Sequence, residues 1–113
     1  MRKISVVILL LLFVLCPNAF AHPPQDIILA YDPSSRTLAI EVLHSSYDPN
    51  RHHINRLEVS INGNVILEKT PNRQNNTKLE VNILIPHVDA GATLEVKAFC
   101  SRGGTLTKSI IVP

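Results

Sequence analysis

The chain has 113 residues, with 11 Lys and Arg against 9 Asp and Glu. Aromatic residues make up 4% and Trp is absent, with no basic stripe along the chain, which excludes a nucleic-acid surface built on stacking and phosphate contacts. The length suits one small domain with a modest core.

Met1-Arg2-Lys3 is a short basic start, followed by a nearly pure apolar run from Ile4 to Leu15 and then Ala19-Phe20-Ala21. This is the pattern of a secretory signal peptide with a small-x-small cleavage site, and the apolar run is too short for a membrane span. Cleavage is expected after Ala21, so residues 1–21 are read as the signal and residues 22–113 as the mature domain, secreted and periplasmic, with no membrane span left. Cys16 follows Leu15 rather than the small residue that lipid attachment asks for. With Arg2, Lys3 and Cys16 removed, acids and bases balance and Cys100 stands alone. An unpaired thiol in an oxidising compartment is expected to be buried, metal-bound or chemically used.

After Pro23-Pro24 the chain alternates apolar and polar residues in short runs. Ile27–Tyr31 is closed by the turn cluster Asp32-Pro33-Ser34-Ser35. Thr37–Leu43 puts Leu38, Ile40 and Val42 on one face, and the run from Ile54 puts Leu57, Val59 and Ile61 on one face. Asn62-Gly63 is a hairpin signal because both residues accept positive φ, and Val65–Lys69 returns from it. Leu79–Ile85 ends at Pro86, Thr93–Cys100 follows the turn at Ala90-Gly91, and Leu106–Val112 follows Arg102-Gly103-Gly104. About seven strands without a helical period predict an all-β, immunoglobulin-like sandwich. Asn75-Asn76-Thr77 matches a glycosylation sequon, a weak motif by itself.

Three of the five histidines, His44, His52 and His53, lie in the stretch joining the second and third strands. If those strands pair, both ends of the stretch fall at one end of the sandwich. His22 opens the mature chain, and Cys100 closes a strand beside a glycine turn. Imidazoles and one thiolate together suit a borderline transition metal such as iron, copper or zinc. Each residue also has an ordinary reading: solvated loop histidines, a flexible terminus at His22, a small buried hydrophobe at Cys100 and a surface residue at His87.

The segments His22-Pro23-Pro24, Val42-Leu43-His44, His52-His53-Ile54 and Ala98-Phe99-Cys100-Ser101-Arg102-Gly103-Gly104, in that order, resemble the iron-binding domain of the desulfoferrodoxin and superoxide reductase family. The resemblance spans nearly the whole mature chain. It implies one mononuclear, non-haem iron held by equatorial imidazoles from His22, His44 and His52 and an axial thiolate from Cys100. It also implies superoxide as a small-molecule oxidant and an external electron donor. Two positions depart from that pattern. Gly103 stands where the family has a further histidine ligand, leaving His53 or His87 as substitutes, and Phe20-Ala21 stands where the family has Glu-Lys. His53 takes the place of a family tyrosine. Two rival readings stand beside the iron enzyme. One is a non-catalytic binding or interaction module. The other is a copper carrier that uses the amino terminus at His22, where an α-amine and an imidazole can chelate one ion.

Overall fold

The computed structural model describes residues 22–71 and 73–113. The predicted signal segment lies outside the described residues. Seven strands run in chain order: β1 (Asp26–Asp32), β2 (Thr37–Leu43), β3 (Ile54–Ile61), β4 (Asn64–Lys69), β5 (Lys78–Leu84), β6 (Thr93–Cys100) and β7 (Thr105–Ile111). They form two antiparallel sheets, one ordered β1-β2-β5 and the other β4-β3-β6-β7. This is the expected immunoglobulin-like sandwich, and its strands fall within a residue or two of the expected bounds. No helix among the described residues is long and apolar enough to cross a membrane.

Period-two alternation decides which side chains meet between the sheets. Leu38, Ile40 and Val42 of β2 face inward with Leu79 and Ile83 of β5, and all are buried. Leu57 and Val59 of β3 and Leu94, Val96 and Ala98 of β6 complete the core from the other sheet, and these five are fully buried. Burying each of the larger aliphatic side chains contributes about 1.5–3 kcal/mol. A one-residue slip of β2 or β6 would turn its whole apolar set to solvent, so the pattern fixes the register. The β3–β4 hairpin turns on Asn62 (φ 49°) and Gly63 (φ 84°), both left-handed, as the Asn-Gly pair predicts.

β2 and β3 do not pair, because both hydrogen-bonding edges of β2 are taken, by β1 and β5. The stretch from His44 to His53 instead crosses from one sheet to the other. His44 leaves the end of β2 and His52 enters at the start of β3, so both still sit at the same end of the sandwich. The start of β1 and the end of β6 lie there too, since Asp26 pairs with Leu43 and Cys100 pairs with Ile54.

Candidate metal centre

Each candidate side chain is placed by main-chain bonds at this end. The Gln25 N–H donates to the Leu43 carbonyl at 2.7 Å, extending the β1–β2 ladder toward His22. The His44 N–H donates to the Thr77 carbonyl at 2.9 Å, so the residue continues the β2–β5 ladder one step past the strand. A bulge between Ile54 and Arg56 shifts the register against β6 and leaves Ile54 opposite Cys100. The Ser101 N–H then donates to the His53 carbonyl at 2.8 Å, and the His53 N–H donates to Ser101 Oγ at 3.0 Å. These bonds tie the entry of β3 to the exit of β6 and bring His52 against Cys100.

The ring nitrogens of His22, His44 and His52 offer donor atoms that all lie within 4.8 Å of one another. His44 is fully buried, His52 is nearly so and His22 is exposed, so the group is closed on the core side and open beside His22. Two nitrogen donors bonded to one ion at about 2.1 Å stand about 4.2 Å apart on opposite sides and about 3.4 Å apart at a tetrahedral angle, so a ring turn that draws the widest pair inward by roughly 0.6–1.4 Å would seat an ion. This group of three histidines could hold a metal ion.

His44 shows how such a donor is prepared. Its Nδ1 lies 2.8 Å from Gln74 Oε1, an amide oxygen that can only accept, so Nδ1 carries the proton. Nε2 is then the bare nitrogen, and it is buried with no partner. An orphaned buried acceptor costs about 1–3 kcal/mol, and an ion held by all three imidazoles would remove that cost. Gln74 is itself fixed. Its Oε1 also accepts from the Ile54 N–H at 2.8 Å, and its Nε2 donates to the carbonyls of His44 (2.8 Å) and Asn75 (3.0 Å). A group that orients a ligating imidazole through its other ring nitrogen is a common companion of protein metal sites. Gln74 lies in the connection between β4 and β5. A lone Gln carries no periodic or spacing signal, and only the fold reveals that it is 6% exposed.

Cys100 stands outside the group of three but against one of its members, with Sγ 3.1 Å from His52 Nε2. Without an ion the contact is a hydrogen bond whose donor, the imidazole N–H or the thiol S–H, follows the tautomer of His52. Nitrogen and thiolate donors bonded at about 2.1 and 2.3 Å and set at a right angle around one ion would also stand about 3.1 Å apart, against about 3.6 Å at a tetrahedral angle.

Burial is the main cause that lowers the basicity of His44, and its Gln74 bond only partly offsets this. Burial also leads for His52, followed by repulsion from the neighbouring His44, His22 and Arg102. Both imidazoles are therefore held toward the neutral form that a metal requires.

Neither substitute for a ligand at Gly103 joins the group. His53 stands outside the three and lines a separate polar pocket with Asn50, Arg73 and Gln74. His87 lies past the end of β5, beside Ile66 and Leu84. β5 starts next to Leu43 and ends next to Thr37, so His87 is at the opposite end of the sandwich from His44.

No family model matches the chain, and no curated protein matches it. The resemblance noted above therefore rests on the quoted segments alone.

The open side of the histidine group faces a cleft of about 660 Å³ lined by His22, Pro23, Gln25, Ser45, Ser46, Tyr47, His52 and Asn76. Among the described residues, no lysine or arginine lines it. The Ser46 hydroxyl is buried there without a partner.

Proposed function

We propose that this domain binds a single transition-metal ion through His22, His44 and His52, with Cys100 as a thiolate ligand, and that the ion is iron. One observation carries the reading. Three imidazoles converge, one of them with an orphaned Nε2, and a buried sulfur lies 3.1 Å from the ring of another. Nothing in an ordinary all-β core calls for three clustered imidazoles, two of them buried. A thiolate donates charge to iron and tunes its potential. The reaction implied by the resemblance is one-electron reduction of superoxide. Superoxide would take one electron from ferrous iron and two protons from water, leaving as hydrogen peroxide, and an external one-electron donor would restore the ferrous state.

The test is metal content and the visible spectrum of the protein loaded with iron. One equivalent of iron with a thiolate charge-transfer band, lost in Cys100→Ser while the ion is retained, supports the reading. Protein that stays metal-free after loading with iron and with copper overturns it.

A second reading keeps the metal and drops the turnover. It is favoured by Gly103 at the position of the missing ligand and by a cleft whose lining, among the described residues, has no cationic side chain to draw an anion. In that case the loaded protein is a periplasmic binding module or carrier and fails to consume superoxide.

A further inference from the structure

We propose that, once the chain is cut after Ala21, the α-amine of His22 is a fourth nitrogen ligand at this centre, and that the amine and imidazole of His22 together make copper the ion held most tightly. The inference rests on the metal-binding reading of the histidine group and not on iron.

Three observations lead to it. The first concerns the glycine turn after β6. A Cβ placed on Gly104 would come within 2.8 Å of the Pro23 nitrogen and 3.0 Å of the His22 carbonyl carbon, both main-chain atoms. Gly104 also has a φ of +86°, a left-handed backbone that a side chain resists. Gly104 therefore leaves room for the main chain of His22 and Pro23 and cradles it against the turn after β6.

The second concerns Pro23. Copper bound at a free amino terminus commonly spreads down the chain onto the next peptide nitrogen once that nitrogen loses its proton. Pro23 has no N–H to lose, and neither has Pro24. An ion at His22 is confined to the amine and the imidazole of that one residue, which close a small chelate ring. Its remaining ligands must come from the fold.

The third is that the fold supplies them. The donor atoms of His44 and His52 lie within 4.8 Å of that of His22, and His44 presents a bare, buried Nε2. Amine plus three imidazoles makes four nitrogen donors beside the Cys100 sulfur, which suits copper, the first-row divalent ion that binds such sites most strongly. Two donors on one residue bind as a unit, since the second engages at high effective concentration.

The experiment compares two forms of the mature protein, one beginning at His22 and one with a single pyroglutamyl residue, which offers no free amine, placed before it. The first is made by secretion through the protein's own leader and weighed intact. Both are titrated with copper(II) against a competing chelator, and nitrogen donors are counted by electron paramagnetic resonance. The expected result is an intact mass beginning at His22, copper binding about 100-fold tighter than in the extended form, and one fewer nitrogen donor in the extended form. Equal affinity in the two forms overturns the inference and leaves the metal-binding reading standing. A mature mass beginning at any other residue overturns it as well. If neither form binds copper or iron, both readings fall.

Discussion

Gln74 Oε1 holds the Nδ1 proton of His44 at 2.8 Å and accepts the Ile54 N–H at the same distance, so one buried amide joins the end of β2 to the start of β3. The relationship is structural and electronic together. It fixes the tautomer of His44, and it bridges two sheets at the point where the chain crosses between them.

Replacing Gln74 by Ala separates these roles. The His44 Nδ1–H, the His44 carbonyl and the Ile54 N–H each lose a buried partner, at about 1–3 kcal/mol per group left unsatisfied. We expect Gln74→Ala to lower stability by about 2–4 kcal/mol in urea unfolding, after allowing for water entering the gap. Metal affinity should fall about 10–100-fold, the usual effect of losing a group that orients a ligand. His22→Ala should weaken binding comparably but move stability by no more than about 0.5 kcal/mol, because His22 is exposed. Stability loss in both variants, or in neither, would contradict the roles assigned to them.

The buried imidazoles make the metal-free protein sensitive to acid. His44 and His52 both have folded-state pKa values below the ordinary 6.5. In the window between the folded and unfolded values the unfolded chain binds more protons, so stability rises with pH there. Their contribution is complete above about pH 6.5 and is lost as pH falls below it. Melting temperature followed downward from roughly pH 7.5 should therefore drop as the medium passes below the ordinary histidine value, and His44→Gln should flatten that slope. Metal affinity should decline across the same range, because protons compete for the same nitrogens.

Alternation made the strands legible in the sequence, down to the inward faces of Thr37–Leu43 and Thr93–Cys100, because a half-buried strand must alternate. Asn62-Gly63 announced its own turn for an equally local reason. The site was legible only in part. His44, His52 and Cys100 were marked by lying at strand ends, which does not require knowing which strands pair. Whether β2 pairs with β3 was not legible, since edge occupancy is a property of the whole sheet and leaves no mark on two strands read together. Gln74 was invisible because its partners are a ring 30 residues away and a main-chain N–H 20 residues away. The cradle at Gly104 was hidden for the same reason. A glycine turn advertises its φ but not the backbone that will rest against it.

Cys100 is 5% exposed and touches His52, so its thiol should react through opening of the fold rather than at the surface. Modification by a disulfide reagent should be slow in the native protein and fast in denaturant. Saturating metal should slow it at least tenfold further, both by occupying the sulfur and by stabilising the closed state. Rapid native reaction that ignores metal would show that Cys100 is neither enclosed nor a ligand.

The glycine turn offers the cleanest separation of conformational strain from site assembly. Gly91 and Gly104 share a φ of +86°, yet a Cβ on Gly91 meets nothing within 4 Å while one on Gly104 meets the main chain of His22 and Pro23. Gly91→Ala should therefore cost only the left-handed penalty of about 1–2 kcal/mol and leave metal binding intact. Gly104→Ala incurs the same penalty and must also displace Pro23, because backbone on both sides leaves no flexible side-chain end to give way. His22 moves with it, while His44, His52 and Cys100 keep their places through Gln74 and the β3–β6 ladder. We expect Gly104→Ala to match Gly91→Ala in stability to within about 1–2 kcal/mol but to lose metal affinity at least as far as His22→Ala does. Combining Gly104→Ala with His22→Ala should then weaken binding no further than Gly104→Ala alone, since moving the residue already takes away every donor it carries. Additive losses in the double variant would mean that the turn shapes the centre by some route other than seating His22.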